Sequence, residues 1–399
     1  MKPTRGAAWC LLLSFLGLGL AGYLTYLHLG LMRGELLGGA ACGAAGSVFN
    51  CHAVTAGPWG SLLGMPLALW GVIGYVAVLA LALWGLQSDE AAGSALSLLF
   101  LLAGLLVFLD LFLLAVMALV IRFYCLFCLL TYAVNVSLLL VSARSLPYPP
   151  AQLPGRVGAA LRRLLPGGRD RGAAFVWAFV VIGTMGAVGM HLATTFLSRG
   201  TLGNVRNQIR EYVIRQPRVS INTADDPAVG PANAFLQISE FSDFFCPVCE
   251  RASKLNTVVF ANHRHDARFA FKHFPLDNTC NERVSRVVHP GACQVAAASE
   301  CAHLQGRFWE FHDVIFSKGH LYNIADLEAD AARLHLDVPR FKACLDSGQG
   351  MEAVKRDIVE SAKIPVTSTP TYVINGLPMP GLLNPTTFEN FVAVLRETQ

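Results

Sequence analysis

Four apolar runs follow one another in the first third of this chain, and a fifth comes later. They lie at about Trp9 to Met32, Leu62 to Leu86, Ala95 to Ile121, Cys125 to about Ser142, and Ala173 to Leu197. A helix needs about 20 mainly apolar residues to cross a hydrocarbon core, so each run is long enough to span one. Lipid leaves no water for stray backbone groups, and this restricts such segments to helices. The chain as a whole is 54% hydrophobic and only 15% charged, too apolar for an ordinary soluble protein. The bias is uneven, and the second half reads as a normal globular domain. Over 399 residues the expectation is a membrane part followed by a soluble part.

Lys2 and Arg5 precede the first run, which is longer than the apolar core of a signal peptide and is read as retained. Cys42 follows small residues, but Arg33 and Glu35 separate it from the apolar core, so lipidation is not expected. Between Ser142 and Gly172, Arg144, Arg156, Arg162, Arg163, Arg169 and Arg171 face only Asp170, which marks that segment as cytoplasmic by the positive-inside rule. The net charge of +4 gives no reason to expect nucleic-acid binding. Counting crossings from an inside N-terminus puts Cys42 and Cys51, the Cys125/Cys128 junction and everything after Leu197 on the outer side. All the paired cysteines therefore share one wet face.

Eleven cysteines, most of them spaced as pairs, point to an oxidising compartment. No histidine stands at zinc-finger spacing from either Cys-x-x-Cys, so no metal site is expected. Arg122-Phe-Tyr-Cys125-Leu-Phe-Cys128 places one pair where two membrane runs meet. At the start of a helix, free N–H groups and the dipole would favour a thiolate there. Cys42 and Cys51 lie in a Gly/Ala-rich loop from Gly34 to Gly60. They can meet and part, which suits a shuttle, or they can form a static bridge. Cys10 sits alone in the first run and reads as a packing residue. Asp110 lies inside the third run, where a carboxylate is costly enough to be a functional candidate.

After the fifth run, residues 199 to 215 read as a helix and 217 to 233 as a polar linker. The strand Phe235-Leu-Gln-Ile-Ser-Glu-Phe then leads to Cys246-Pro-Val-Cys249 and a helical pattern. Strand, Cys-x-x-Cys, helix is the order of a thioredoxin-like redox site, with Cys246 the exposed thiolate and Cys249 the resolving thiol. A largely helical stretch from about Asn281 to Lys363 carries Cys280, Cys293, Cys301 and Cys344. These lack Cys-x-x-Cys spacing and are read as structural, with Cys280–Cys293 and Cys301–Cys344 favoured among three possible pairings. His289, His303 and His312 read as surface or packing residues. Thr369-Pro370 opens a last strand, Asn375-Gly376 signals a hairpin, and a final helix starts near Asn384-Pro385.

Two resemblances cover most of the chain. The Cys42/Cys51 loop, the Ser61-Leu-Leu-Gly-Met-Pro-Leu-Ala-Leu-Trp-Gly stretch and Tyr124-Cys125-Leu-Phe-Cys128-Leu-Leu-Thr-Tyr132-Ala-Val-Asn resemble the vitamin K epoxide reductase family. That family is a four-helix membrane bundle coupling quinone to disulfide chemistry. From about residue 235 onward the chain is similar to DsbA-type thioredoxin-fold oxidoreductases, on Glu240, Cys246-Pro-Val-Cys249, the helical insertion and Thr369-Pro370, which the resemblance makes a cis-proline site. Many relatives carry His where this chain has Val248. The implied layout is a four-helix membrane domain (1–145), a basic cytoplasmic linker (146–172), a fifth transmembrane helix (173–198), a connector (199–233) and an α/β thioredoxin-like domain with a helical insertion (234–399).

The resemblance implies an oxidoreductase relay. Reduced extracytoplasmic proteins would pass electrons to Cys246/Cys249, then Cys42/Cys51, then Cys125/Cys128, and finally to a quinone of the ubiquinone or menaquinone type. Cys128 would lie nearest the quinone, with Ser61 and Tyr132 as polar contacts, in a bacterial cytoplasmic membrane with the redox cysteines on the periplasmic side. Three other readings stay open: the same residues running reductively on a quinone or quinone epoxide, a membrane-tethered isomerase or chaperone, and a transporter.

Overall fold

The computed structural model describes residues 2–32, 35–38, 42, 48–63, 65–164 and 171–398, so the end of the basic linker and parts of the Gly34–Gly60 loop lie outside the described residues. The chain divides into two compact units, the first running to residue 204 and the second covering Val205–Gln399 with a short loop segment.

In the first unit, α1 (Pro3–Met32) leads to the cysteine loop and a short helix, α2 (Cys51–Ala56). A hairpin of β1 (Ser61–Leu62) and β2 (Met65–Pro66) precedes α3 (Leu67–Gly85). The second apolar run was expected to turn helical from Leu62. The hairpin takes its first residues, and Pro66 caps the helix, which therefore starts five residues later. The third run gives α4 (Asp89–Val116), which starts before the apolar stretch. Ser88 caps it by accepting from Ala91 N, and Asp89 and Glu90 sit in its first turn, where negative charge suits the dipole.

A π-helical turn, Met117–Ile121, ends at Arg122 in the left-handed region (φ 61°) and reverses the chain into the Cys-x-x-Cys. Then α5 (Leu126–Ser145), the amphipathic α6 (Leu153–Leu164) and α7 (Arg171–Arg215) follow. The fifth apolar run and the helix expected at 199 to 215 are one continuous element, α7. Among the described residues four helices are long and apolar enough to cross a membrane: Pro3–Met32, Leu67–Gly85, Asp89–Ile121 and Leu126–Ser145. A fifth apolar stretch, Val176–Leu192 within α7, is shorter. Small residues let the helices approach closely. A Cβ on Gly17 of α1 would fall 2.1 Å from the Tyr75 ring of α3, so only glycine makes room for that ring.

The second unit is a five-stranded sheet in the order β3 (Ala228–Val229), β5 (Ala267–His273), β4 (Leu236–Ser242), β6 (Thr371–Ile374), β7 (Leu377–Pro380). β4 and β5 run parallel, joined by the crossover helix α8 (Pro247–His263), and the other pairs are antiparallel. β4 is buried along almost its whole length because sheet neighbours and helices cover both faces. The insertion comprises α9 (Ala292–His303), α10 (Phe308–Lys318), α11 (Leu327–Arg333), α12 (Val338–Asp346) and α13 (Gln349–Glu360). It turns helical only at Ala292, not at Asn281 as expected. α14 (Pro385–Thr398) closes the chain over a core with Leu236, Phe269, Ile374, Phe388 and Leu395.

Candidate redox sites

In the first unit one backbone bridge builds the site. Phe49 pairs with Tyr124 as an isolated parallel bridge, Asn50 N–H donating to Tyr124 O and Tyr124 N–H to Val48 O, each at 2.9 Å. Cys51, the first residue of α2, and Cys125, the cap of α5, follow the two sides of this bridge and are thereby held in one buried cluster. Cys42, Cys51 and Cys125 are all buried in a cluster with Leu24, Leu27 and Met117, and Cys128 packs against it. Cys125 and Cys128 are disulfide-bonded. Cys125 caps α5, its sulfur accepting from Cys128 N at 3.2 Å.

Cys42 and Cys51 stand as thiols, not as a closed bridge. The Cys42 thiol donates to Cys51, which also faces the N–H groups of Leu126 and Phe127 at the start of α5. Despite burial, these donors bring the Cys51 thiol down to about 7, while Cys42 is pushed up. The loop is held by His52, whose Nε2 bonds Leu37 O at 2.8 Å. At Gly38 (φ 95°) a Cβ would stand 2.8 Å from the Cys42 sulfur.

Behind the disulfide lies an apolar cavity of about 320 Å³. Its lining includes Cys128, Thr131, Tyr132 and Asn135 of α5, all on one helix face by their three- and four-residue spacing. Ser61 is exposed in the hairpin and does not line the cavity, although its neighbours Gly60 and Leu62 do. The sequence does not disclose a partner for Asp110. The structure supplies one: Asn135 Nδ2 donates to Asp110 Oδ2 at 2.8 Å, and Tyr75 OH donates to Asn135 Oδ1 at 2.7 Å. Asn135 and Tyr75 are the functional candidates that the sequence reading missed. Asn135 was findable, since it stands seven residues after Cys128 on the same helical face.

In the second unit Cys246 caps α8, with Pro247 in the first turn where a missing N–H costs nothing. Cys246, expected to be exposed, is buried (7% exposed) because it packs into a cluster with Phe244 and Phe245, and Cys249 is fully buried; both are free thiols. Hydrogen bonding from Cys249, helped by the N–H groups of Cys249 and Val248, brings Cys246 down to about 5. Burial pushes Cys249 well above the usual thiol range. The Cys246 sulfur lies 3.6 Å from the carbonyl oxygen of Thr369, and the Thr369-Pro370 bond is cis.

Glu240, on β4 opposite Tyr372 of β6, is buried, and burial pushes its carboxyl up to about 7. Asn256 Nδ2 donates to it at 2.6 Å, and Tyr372 OH holds Asn256 in turn. His289, read from the sequence as a surface or packing residue, is half-buried. It bonds the buried Asp243 at 3.0 Å, beside Cys246, whose charge adds to the upward pull of Asp243 on the imidazole. Disulfides join Cys280 to Cys293 and Cys301 to Cys344.

Fold and sites together define a thiol–disulfide oxidoreductase with a helical, membrane-type unit and a thioredoxin-like unit. Residues 8–143 match the Vitamin K epoxide reductase family, and residues 237–393 match the DSBA-like thioredoxin domain. The chain thus joins a vitamin K epoxide reductase family domain to a DsbA-like one.

Among solved structures, it is similar to oxidised BdbD from Bacillus subtilis (21% identity, TM-score 0.38, 45% of this chain and 100% of that one). It is also similar to alpha-DsbA1 from Wolbachia pipientis (18%, TM-score 0.37, 45% and 97%). Among curated proteins it matches the Na(+)/H(+) antiporter NhaA 3 of Salinispora tropica (32% identity over 158 residues, 40% of this chain and 23% of that protein). A second match is the NhaA antiporter of Herminiimonas arsenicoxydans (34% over 147 residues, 37% and 22%). The chain spans less than a quarter of these antiporters, and ion exchange is not carried over from them.

Proposed function

We propose that this protein makes disulfide bonds in extracytoplasmic proteins and passes the electrons to a membrane quinone, from a bacterial cytoplasmic membrane with its redox cysteines on the outer side. A substrate thiolate attacks the Cys246–Cys249 disulfide, and resolution leaves the substrate oxidised and the pair reduced. The Cys246 thiolate then reduces an oxidised Cys42–Cys51 pair. Because Cys51 faces α5, Cys42 is the loop cysteine that meets Cys246.

The Cys51 thiolate next attacks Cys125, the Cys125–Cys128 bond breaks, and Cys128 leaves as the thiolate facing the cavity. Cys42 then displaces Cys125 from Cys51, so the loop pair is reoxidised and the Cys125/Cys128 pair is left reduced. A quinone supplies the final acceptor of two electrons and two protons. The residues that would hold it are Cys128, Tyr132 and the aromatic and aliphatic lining of the cavity, whose apolar character suits a ring ligand. Each exchange is thermoneutral in kind, so direction follows the potentials.

The observation that carries this reading is the Phe49–Tyr124 bridge, which sets Cys51 against a disulfide whose other sulfur opens on an apolar cavity. Trapping tests it. In Cys128→Ala the Cys125 thiolate, attacking an oxidised loop pair at Cys51 and releasing Cys42, should leave a Cys51–Cys125 adduct, and in Cys249→Ala attack of Cys246 on the loop pair at Cys42 should leave a Cys246–Cys42 adduct, both visible by non-reducing mass mapping. If Cys125→Ala left disulfide formation in client proteins intact, the membrane unit would be an anchor and the relay would be wrong.

A further inference from the structure

We propose that Asp110 is the proton donor to the acceptor bound in the Cys128 cavity, with Asn135 and Tyr75 as its positioning residues. This rests on the quinone reading above. A carboxylate inside a membrane helix is retained where it serves a function, and here it lines the cavity that Cys128 enters. Its orientation is set by a directed chain. Gly17 admits the Tyr75 ring, Tyr75 donates to the Asn135 carbonyl, and the Asn135 amide is thereby turned to hold Asp110 Oδ2. Among the described residues no donor is bonded to Oδ1, which leaves that oxygen to the cavity.

The depth is suitable. Along α5, Asn135 lies seven residues and so about 10 Å from Cys128. Cys128, Tyr132 and Asp110 would hold a ring acceptor in this one cavity, with Cys128 supplying the electrons and Asp110 a proton.

The chemistry balances. The Cys128 thiolate first takes up the proton that Cys51 released, and Cys125 takes the one that Cys42 loses; as Cys125 and Cys128 then close their S–S bond, two S–H bonds break, and the pair loses two electrons and two protons. Two C=O groups of the ring become C–OH. Asp110 gives its proton to one ring oxygen and is reprotonated by one of the two thiol protons; the other thiol proton goes to the second oxygen. The other titratable groups lining the cavity are His28 from α1, Tyr75 from α3, and Cys128 and Tyr132 from α5, and no Lys or Arg is among them.

The test uses full-length protein in lipid nanodiscs with a short-tailed benzoquinone. Wild type, Asp110→Asn and Asp110→Glu are reduced with dithiol, and quinol formation is followed across pH. Two further readouts do not need turnover. Quenching of Trp59 and Trp70, both in the cavity lining, reports quinone binding to the oxidised protein, and the carboxylic acid infrared band reports the proton itself. The expectation for Asp110→Asn is quinol formation slower by about 100-fold, the general-acid range, with loss of one limb of the pH profile and of the infrared band, and unchanged quenching. Asp110→Glu should keep the limb. Wild-type rate and profile in Asp110→Asn would overturn the role of Asp110 alone. So would a slower rate with the same profile, which would make the residue structural. Failure of wild type itself to form quinol would instead overturn the quinone reading and the donor with it.

Discussion

The Cys246 thiolate is the most quantitative expectation the structure offers. Its thiol falls from an ordinary 9.0 to about 5, and hydrogen bonding from Cys249 is the largest cause. A shift of about four units corresponds to about 5 kcal/mol at about 1.4 kcal/mol per unit. A hydrogen bond to a charged acceptor contributes about 1.5 to 3 kcal/mol, equivalent to about one to two units. In Cys249→Ala the Cys246 pKa should therefore rise to about 6 to 7, and no further, because the N-terminal N–H groups of α8 remain.

The assay is the rate of iodoacetamide alkylation at Cys246 in reduced full-length protein against pH, read on the Cys246 peptide by mass spectrometry, since the rate follows the thiolate fraction. A variant midpoint still at about 5 would show that Cys249 contributes nothing. A midpoint at the ordinary 9.0 would refute the part assigned to the helix end. The linked effect on stability has a definite sign. The folded value is depressed, so the thiolate stabilises the reduced form increasingly from about pH 5 up to about pH 9, and that contribution is lost as pH falls through about 5.

Three other outcomes can be checked on the full chain. Burial pushes Glu240 up to about 7 from 4.5, so its ionisation costs nothing below about pH 4.5 and at most about 3 kcal/mol above pH 7; Glu240→Gln should slow hydrogen exchange in β4 peptides at pH 8 but not at pH 4. Asp243 raises the His289 imidazole above its usual value, so this pair stabilises the fold below about pH 6.5 and loses its effect as pH rises through the folded value; Asp243→Asn should bring the His289 midpoint down in an NMR titration, and an unmoved midpoint would dismiss the pair. The Cys301–Cys344 bridge closes a separation of 43 residues, for which chain entropy gives about 4 kcal/mol; the double Cys→Ala variant should unfold its insertion helices at lower denaturant, by an amount larger than for Cys280 with Cys293.

What the sequence disclosed and what it withheld divide along one physical line. The two Cys-x-x-Cys sites were legible because their chemistry is local. A capping cysteine, the first-turn N–H groups and a resolving thiol three residues on all come from one short segment. The Asn375-Gly376 turn was legible for the same reason, both residues taking the positive φ that such a hairpin needs. Helix starts shifted where a neighbouring element competed, as at Ser61–Pro66, whose backbone groups pair in a hairpin before α3 begins.

The withheld part depends on packing between distant residues. Asp110 and Asn135 meet only once α4 and α5 are side by side, and Asp243 reaches His289 only after the loop beyond β5 folds back. The bridge between Phe49 and Tyr124 is the decisive case, because neither segment carries a strand pattern. Yet two backbone hydrogen bonds there convert two unrelated cysteine pairs into adjacent reactants. They do so where α5 begins, so the contact that aligns Cys51 with Cys125 adds the N–H groups of Leu126 and Phe127 to the hydrogen bond from Cys42, which is the main reason the Cys51 thiol falls to about 7. Proximity and part of the nucleophilicity thus share one structural cause, and the Cys42 thiol supplies the rest. Displacing Phe49 from Tyr124 should cost both at once, whereas a change to Cys42 alone should raise the Cys51 pKa and leave its position unchanged.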